Sequence, residues 1–242
     1  MAGLLRSLVI YRRPFRQKGL RELYRGFVQP GDLVFDVGAH MGDRTRAFAD
    51  LGATVVAFEP QPQLRALLTR LEARQPLVTV RSEAIGASIG EASLAISQAT
   101  PTVSTMASTW RQGIGAANET FRNVQWEERV TVHVVTLDSL IARYGLPAFC
   151  KIDVEGYEPE VLAGLNRAIP ALSIEFVAGS LDGTRACIQR LAELGHYEYN
   201  VILGEGRSFA FARWLTPDDL LKWLDNGAGR ASSGDVYARR VG

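Results

Sequence analysis

Short apolar runs alternate with helically spaced apolar positions along most of this chain. Leu33-Val34-Phe35-Asp36-Val37, Thr54-Val55-Val56-Ala57-Phe58 and Val78-Thr79-Val80 are nearly continuous in apolar character. Runs of this kind suit strands covered on both faces of a parallel sheet. Between them, residues 43–50 read as a helix punctuated by Gly52, and residues 63–74 place Leu64, Leu67, Leu68 and Leu71 at helical spacing. The order β-α-β-α-β predicts right-handed crossovers. After residue 129 the pattern predicts strands at 130–135, 148–153 and 171–176, with helices at 137–144, 158–164 and 183–194 between and after them. Residues 197–203 and 208–213 flank Gly204-Glu205-Gly206 and predict a closing antiparallel pair. Thr216 and Pro217 open a last helix as N-cap and first residue. The expected class is α/β, with a mostly parallel sheet and an antiparallel last strand pair.

Two regions fall outside this rhythm. Residues 1–30 read as one or two short helices, with Pro14 as a break, and carry Arg6, Arg12, Arg13, Arg16, Lys18, Arg21 and Arg25 against Glu22 alone. They are expected to form a basic arm ahead of a single domain at 31–242. The arm either packs on the sheet edge or meets an anionic surface such as phospholipid. Residues 99–128 show no clear period and include Trp110 and Trp126. A long irregular segment in a compact domain serves as a lid or is a loose insertion. Ser104 and Trp110 are its candidates for contact with a ligand.

Composition narrows the function classes. The 242 residues carry a net charge of only +1, which gives no global basic field for nucleic acid. Cys150 and Cys187 form no disulfide framework or Cys-x-x-Cys motif and read as reduced core residues. No run approaches the roughly 20 apolar residues needed to span a bilayer. Leu8-Val9-Ile10 is too short and too close to Arg12-Arg13 for a secretory segment, so a cytoplasmic location is expected.

The candidate chemistry lies at strand ends. Asp36 precedes Gly38-Ala39-His40-Met41-Gly42, and Glu59 closes the next strand. The glycines allow close backbone approach to a ligand, and an acid at Glu59 suits ribose hydroxyls. The spacing Gly38-x-x-x-Gly42 is not the G-x-G-x-x-G of dinucleotide sites. An acid beside the loop repels a pyrophosphate and suits an ammonium, which favours S-adenosylmethionine over the alternative, NAD. Farther along, Lys151-Ile152-Asp153-Val154-Glu155-Gly156-Tyr157-Glu158 sets two acids at a strand end. Asp153 is the candidate for positioning cofactor or acceptor, Glu155 for taking a proton, and Glu175 for a third acid near the acceptor. Their alternative role is to stabilise the start of the following helix. The same three acids could hold Mg²⁺, but no His-x-His, HExxH or Asp-x-Asp arrangement supports a metal, and none is expected. Lys151 reads as an internal ion-pair partner, Tyr157 as a wall, and His133 and His196 as structural.

These stretches, with Val56-Ala57-Phe58-Glu59-Pro60-Gln61-Pro62, Val135-Thr136-Leu137-Asp138-Ser139-Leu140, Val161-Leu162-Ala163-Gly164 and Ile174-Glu175, resemble the FkbM-type S-adenosylmethionine-dependent methyltransferases. The resemblance spans roughly residues 31–180. It implies a Rossmann-like class I methyltransferase sheet of seven strands and O-methylation of a hydroxyl on a saccharide or secondary metabolite. The candidate cofactor residues are then Asp36, Gly38, His40, Gly42, Thr45, Glu59, Pro60 and Asp153, and the candidates for the chemistry are Asp153, Glu155, which takes the proton or binds the acceptor, and Glu175. The remaining alternative is a non-catalytic cofactor-binding protein.

Overall fold

The computed structural model describes residues 14–242. The basic positions Arg6, Arg12 and Arg13 lie outside the described residues.

A seven-stranded sheet forms the centre, in the order β3-β2-β1-β7-β8-β10-β9. Its strands are β1 (Leu33–Val37), β2 (Thr54–Phe58), β3 (Val78–Arg81), β7 (Phe149–Ile152), β8 (Ala171–Val177), β9 (Tyr197–Leu203) and β10 (Ser233–Arg240). The pairings β1–β2, β2–β3, β1–β7 and β7–β8 are parallel, whereas β10 runs antiparallel to both β8 and β9. All four residues of β7 are buried, as the continuous apolar runs require. Alternation sorts β1 between the two faces. Phe35 and Val37 join the core formed with β7, β8 and the helices after them, while Val34 joins a second core with Leu20, Tyr24 and Phe48.

The helices are α1 (Pro14–Tyr24), α2 (Asp43–Asp50), α3 (Pro62–Leu71), α4 (Ser108–Ala117), α5 (Leu137–Tyr144), α6 (Glu158–Ala163), α7 (Leu181–Leu194) and α8 (Pro217–Asp225). Pro14 is the first residue of α1, and the residues before it lie outside the described residues. Helix α1 packs on α2, with Leu20 and Tyr24 buried, and Arg21 pairs with Asp50 at 3.1 Å. Thr216 caps α8 through the Asp219 amide as expected, and Thr136 and Ser139 form a reciprocal capping box on α5. Among the described residues no helix is long and apolar enough to cross a membrane. Both cysteines are buried and unpaired.

Three expectations are corrected. The partner of β9 is β10, not residues 208–213, which run beside β9 with only local bonds such as Ala210 N–H to Val201 O. The strand expected at 130–135 is β6 (Glu128–Val135), and it belongs to a separate three-stranded sheet with β4 (Ala84–Ile85) and β5 (Gly90–Ile96). Segment 99–128 is not irregular throughout. It contains α4 between two 3₁₀ turns and packs Trp110, Ile114 and Phe121 into a small core of its own.

Candidate active site

The carboxyl ends of β1, β2, β7 and β8 meet along one edge of the sheet, because Val37 lies opposite both Phe58 and Ile152, and Ile152 opposite Ile174. A cavity of about 220 Å³ opens there. Its walls include Gly38, His40, Glu59, Pro60, Asp153, Glu155 and Glu175 from the residues expected by sequence. Thr102, Ser104 and Met106 close it from segment 99–128, and Glu205 and Asp235 from the antiparallel end of the sheet.

Asp36, Gly42 and Thr45 do not line this cavity. Asp36 shares the β1 face of Val34, so its carboxylate turns toward α2, is fully buried, and accepts a hydrogen bond from the Thr45 hydroxyl. Gly42 is the left-handed N-cap of α2. These residues lie beneath the loop that lines the cavity.

The loop above them is built for close approach. Gly38 has φ 75°, and a Cβ there would sit 1.8 Å from the Asp153 carbonyl oxygen. Glu59 braces the loop: its two carboxylate oxygens accept the His40 and Gln61 amides at 2.8 and 2.9 Å. Burial raises the Glu59 pKa to about 7, with the two amide bonds opposing the rise. His40 contributes through its backbone in this way. Its imidazole is shifted down to about 4 by burial and stays neutral near pH 7.

Lys151 ties the two strand ends together. Its ammonium is almost fully buried, lies 3.0 Å from Asp153 and 3.8 Å from Asp36, and donates to the Gly38 carbonyl at 2.8 Å. Burial alone would lower its pKa, but Asp153 and Asp36 outweigh burial and hold it above the usual range. Asp153 shows the converse. Burial would raise it, and Lys151 and Arg44 keep it below the ordinary carboxylate range. Lys151 is therefore the expected ion-pair partner.

Among the described residues, Glu155 and Glu175 form no ion pair with a cation. Both are raised well above the usual range, first by burial and then by neighbouring carboxylates, Asp153 foremost. The turn ahead of α6 is braced by Glu158. Its Oε1 accepts the Val154 and Gly156 amides at 2.9 and 3.3 Å, which leaves Glu155 facing the cavity. Oxygens of Asp153, Glu155 and Glu175 lie within 4.8 Å of one another, so these are the residues that would hold a hard cation.

The fold also brings in side chains that the sequence analysis passed over. Arg44 lies 3.5 Å from both Asp43 and Asp235, and Asp235 stands opposite Glu175 in the β8–β10 register. Glu83, held by Arg81, lines the cavity just after β3. Of the remaining expectations, Ser104 reaches the cavity, whereas Trp110 and Tyr157 do not. His133 is exposed beside Glu91 at 3.5 Å.

The Methyltransferase FkbM domain matches residues 36–183, more than half of the chain. The chain belongs to the FkbM methyltransferase family. The seven-stranded, mostly parallel sheet with its antiparallel last pair is the fold that this family implies. This FkbM methyltransferase is 28% identical, over 149 residues, to the hexuronic acid methyltransferase AglP of Haloferax volcanii, which covers 60% of this chain and 55% of that protein. The chain thus spans about half the length of that relative. Among solved structures, it is similar to precorrin-6y C5,15-methyltransferase of Geobacter metallireducens GS-15, with 11% identity, TM-score 0.49, and 93% and 86% of the two chains covered. An rRNA methylase from Streptococcus thermophilus gives 11% identity and TM-score 0.45 over 96% and 98% of the two chains.

Proposed function

We propose that this FkbM methyltransferase uses S-adenosylmethionine to methylate a hydroxyl group on a saccharide or secondary metabolite. The observation that carries the proposal is one cavity that joins a braced ribose-type acid, Glu59, to the three carboxylates Asp153, Glu155 and Glu175. The residues present fit the cofactor. Gly38 leaves room that any Cβ would fill, Phe58, Leu64, Ile85 and Leu94 give apolar wall suited to a purine, and Glu59 has lone pairs left for ribose hydroxyls. The wall also carries more carboxylates than cations, which suits a ligand with net positive charge. Bound there, S-adenosylmethionine supplies a methyl group on a positively charged sulfur.

The acids divide the remaining work. Asp153, kept ionised by Lys151 and Arg44, accepts hydrogen bonds that position cofactor or acceptor. Glu155 and Glu175 stand close enough to disfavour two negative charges at once. Of that pair, Glu155 takes the proton from the acceptor hydroxyl as its oxygen gains the methyl, and Glu175 binds the acceptor beside it. A general base so placed contributes roughly 10²–10⁴ in rate. Ser104, Met106 and Glu205 line the same space and limit the acceptor's size. A saccharide acceptor is supported by the relative named for hexuronic acid methylation. In this proposal residues 31–242 are the catalytic domain in a cytoplasmic protein, and residues 1–30 are a basic arm whose helix α1 packs against that domain, with an anionic surface as the alternative contact for its basic side chains.

The test is transfer of a labelled methyl group to a panel of saccharides and hydroxylated metabolites, with S-adenosylhomocysteine and NADH titrated in parallel. Labelled product with binding of S-adenosylhomocysteine supports the proposal. Binding of NADH alone overturns it, and cofactor binding without transfer to any acceptor favours a non-catalytic protein.

A further inference from the structure

The turn between β7 and α6 holds two consecutive left-handed residues, Glu155 at φ 55° and Gly156 at φ 86°. Glycine adopts that backbone readily, whereas a glutamate does so only where its surroundings impose it. Glu158 holds the turn from within, through the Val154 and Gly156 amides. A second hold comes from outside, from the segment ahead of α4. Thr105 is 1% exposed, and its hydroxyl donates to the Glu155 carbonyl oxygen at 2.7 Å. The Thr105 hydroxyl oxygen in turn accepts the Ala107 amide at 2.9 Å, so the hydroxyl is fixed in direction. Its backbone is anchored by a reciprocal pair of bonds with Ala95 at 2.9 and 3.0 Å. One turn later, Trp110 lies against Gly156 so closely that a Cβ there would meet its ring at 2.4 Å.

The neighbours of Thr105 give this contact a functional sense. Ser104 and Met106 line the cavity, while Thr105 between them grips the backbone of the acid that faces it. Acceptor wall and acid are thereby one mechanical unit.

We propose that Thr105 is a positioning residue for methyl transfer, its hydroxyl holding Glu155 in the left-handed turn that directs the carboxylate into the cavity. The inference rests on the methyl-transfer function proposed above and adds the residue that keeps the acid in place. Thr105→Val removes the hydroxyl and keeps the shape, whereas Thr105→Ser keeps the hydroxyl.

The experiment compares the full chain as wild type, Thr105→Val and Thr105→Ser. Hydrogen exchange reads the amides of residues 153–158 against those of β7, titration reads S-adenosylhomocysteine affinity, and turnover gives kcat and KM. In the valine variant, exchange in the turn speeds up about tenfold and kcat falls about tenfold, while KM and cofactor affinity stay within about twofold. Serine restores both. Exchange in the valine variant equal to wild type overturns the proposal, as does a kcat loss that serine does not restore. Should the valine variant fail to fold, Thr105→Ala carries the same comparison. If the wild type methylates no acceptor, the proposed function fails by itself; unchanged exchange in the turn then still refutes the clamp, and faster exchange upholds it.

Discussion

Replacing Lys151 by methionine removes the cation paired with both Asp153 and Asp36. The ammonium neutralises Asp153 at 3.0 Å and Asp36 at 3.8 Å, and both Lys151 and Asp36 side chains are at most 4% exposed. Removing one partner of a buried pair costs about 3–5 kcal/mol. An independent limit agrees. A stranded carboxylate escapes by taking a proton, and at pH 7 this costs about 4 kcal/mol for a group whose ordinary pKa is 3.8. The pH dependence follows with a definite sign. In the wild type, Asp153 titrates below its ordinary value, so its stabilisation is present above that value and lost as pH falls through the folded pKa. Lys151 titrates above its ordinary value, so its contribution holds below that value and fades only at strongly alkaline pH. Asp36 is already raised by burial in the wild type; in Lys151→Met both acids titrate higher than in the wild type, and the loss grows as pH rises from about 4. Urea unfolding followed by circular dichroism should therefore show a loss of about 3–5 kcal/mol at pH 7 and about 2 kcal/mol at pH 5. The melting temperature at pH 7 should fall by roughly 6–20 °C. Adding Asp153→Asn should recover part of the loss. A change below about 1 kcal/mol at both pH values would refute the reasoning, because such a small loss means the ammonium is solvated rather than paired.

Further outcomes follow from single contacts. Gly38→Ala should abolish cofactor binding by calorimetry, since the added methyl meets the Asp153 backbone at 1.8 Å and the loop can only move away. Glu155→Gln should leave cofactor affinity within about twofold and lower kcat by roughly 10²–10⁴; an unaltered rate removes Glu155 from the proton transfer. Glu59 titrates near 7 in the folded chain against 4.5 as its reference, so between those values the ligand-free protein loses stability as pH rises. Ribose hydroxyls favour the ionised form, so S-adenosylhomocysteine should bind more tightly as pH rises from 6 to 8, with proton release visible in buffers of different ionisation heat.

The parallel half of the fold was legible because strands buried on both faces are mostly apolar, as β1, β2, β7 and β8 are, with Asp36, Lys151 and Glu175 among the exceptions. The partner of β9 was not, because Gly204-Glu205-Gly206 has the composition of a hairpin turn, while the true partner lies beyond α8 and ends in Arg239-Arg240. Helix α4 was hidden by Gly113 and Gly115, which weaken intrinsic helicity. Packing of Trp110 and Ile114 makes up the difference. Within the site, Asp153, Glu155 and Glu59 converge because each closely follows a strand on one edge of the sheet, and Glu175 joins them from near the end of β8. Asp36 does not join them, since one step of strand alternation turns it to the α2 face. Arg44 and Asp235 could not be paired in advance: only the insertion of β10 beside β8 brings them together.

The central claim is that the cavity at Gly38 and Glu59 holds an adenosyl-type cofactor with its reactive end toward Asp153. Calorimetric titration of S-adenosylhomocysteine into wild type and Glu59→Ala tests it most directly. The account predicts one-to-one binding to the wild type, weakened at least about tenfold in the variant. No heat from the wild type, or equal affinity in both proteins, would contradict it.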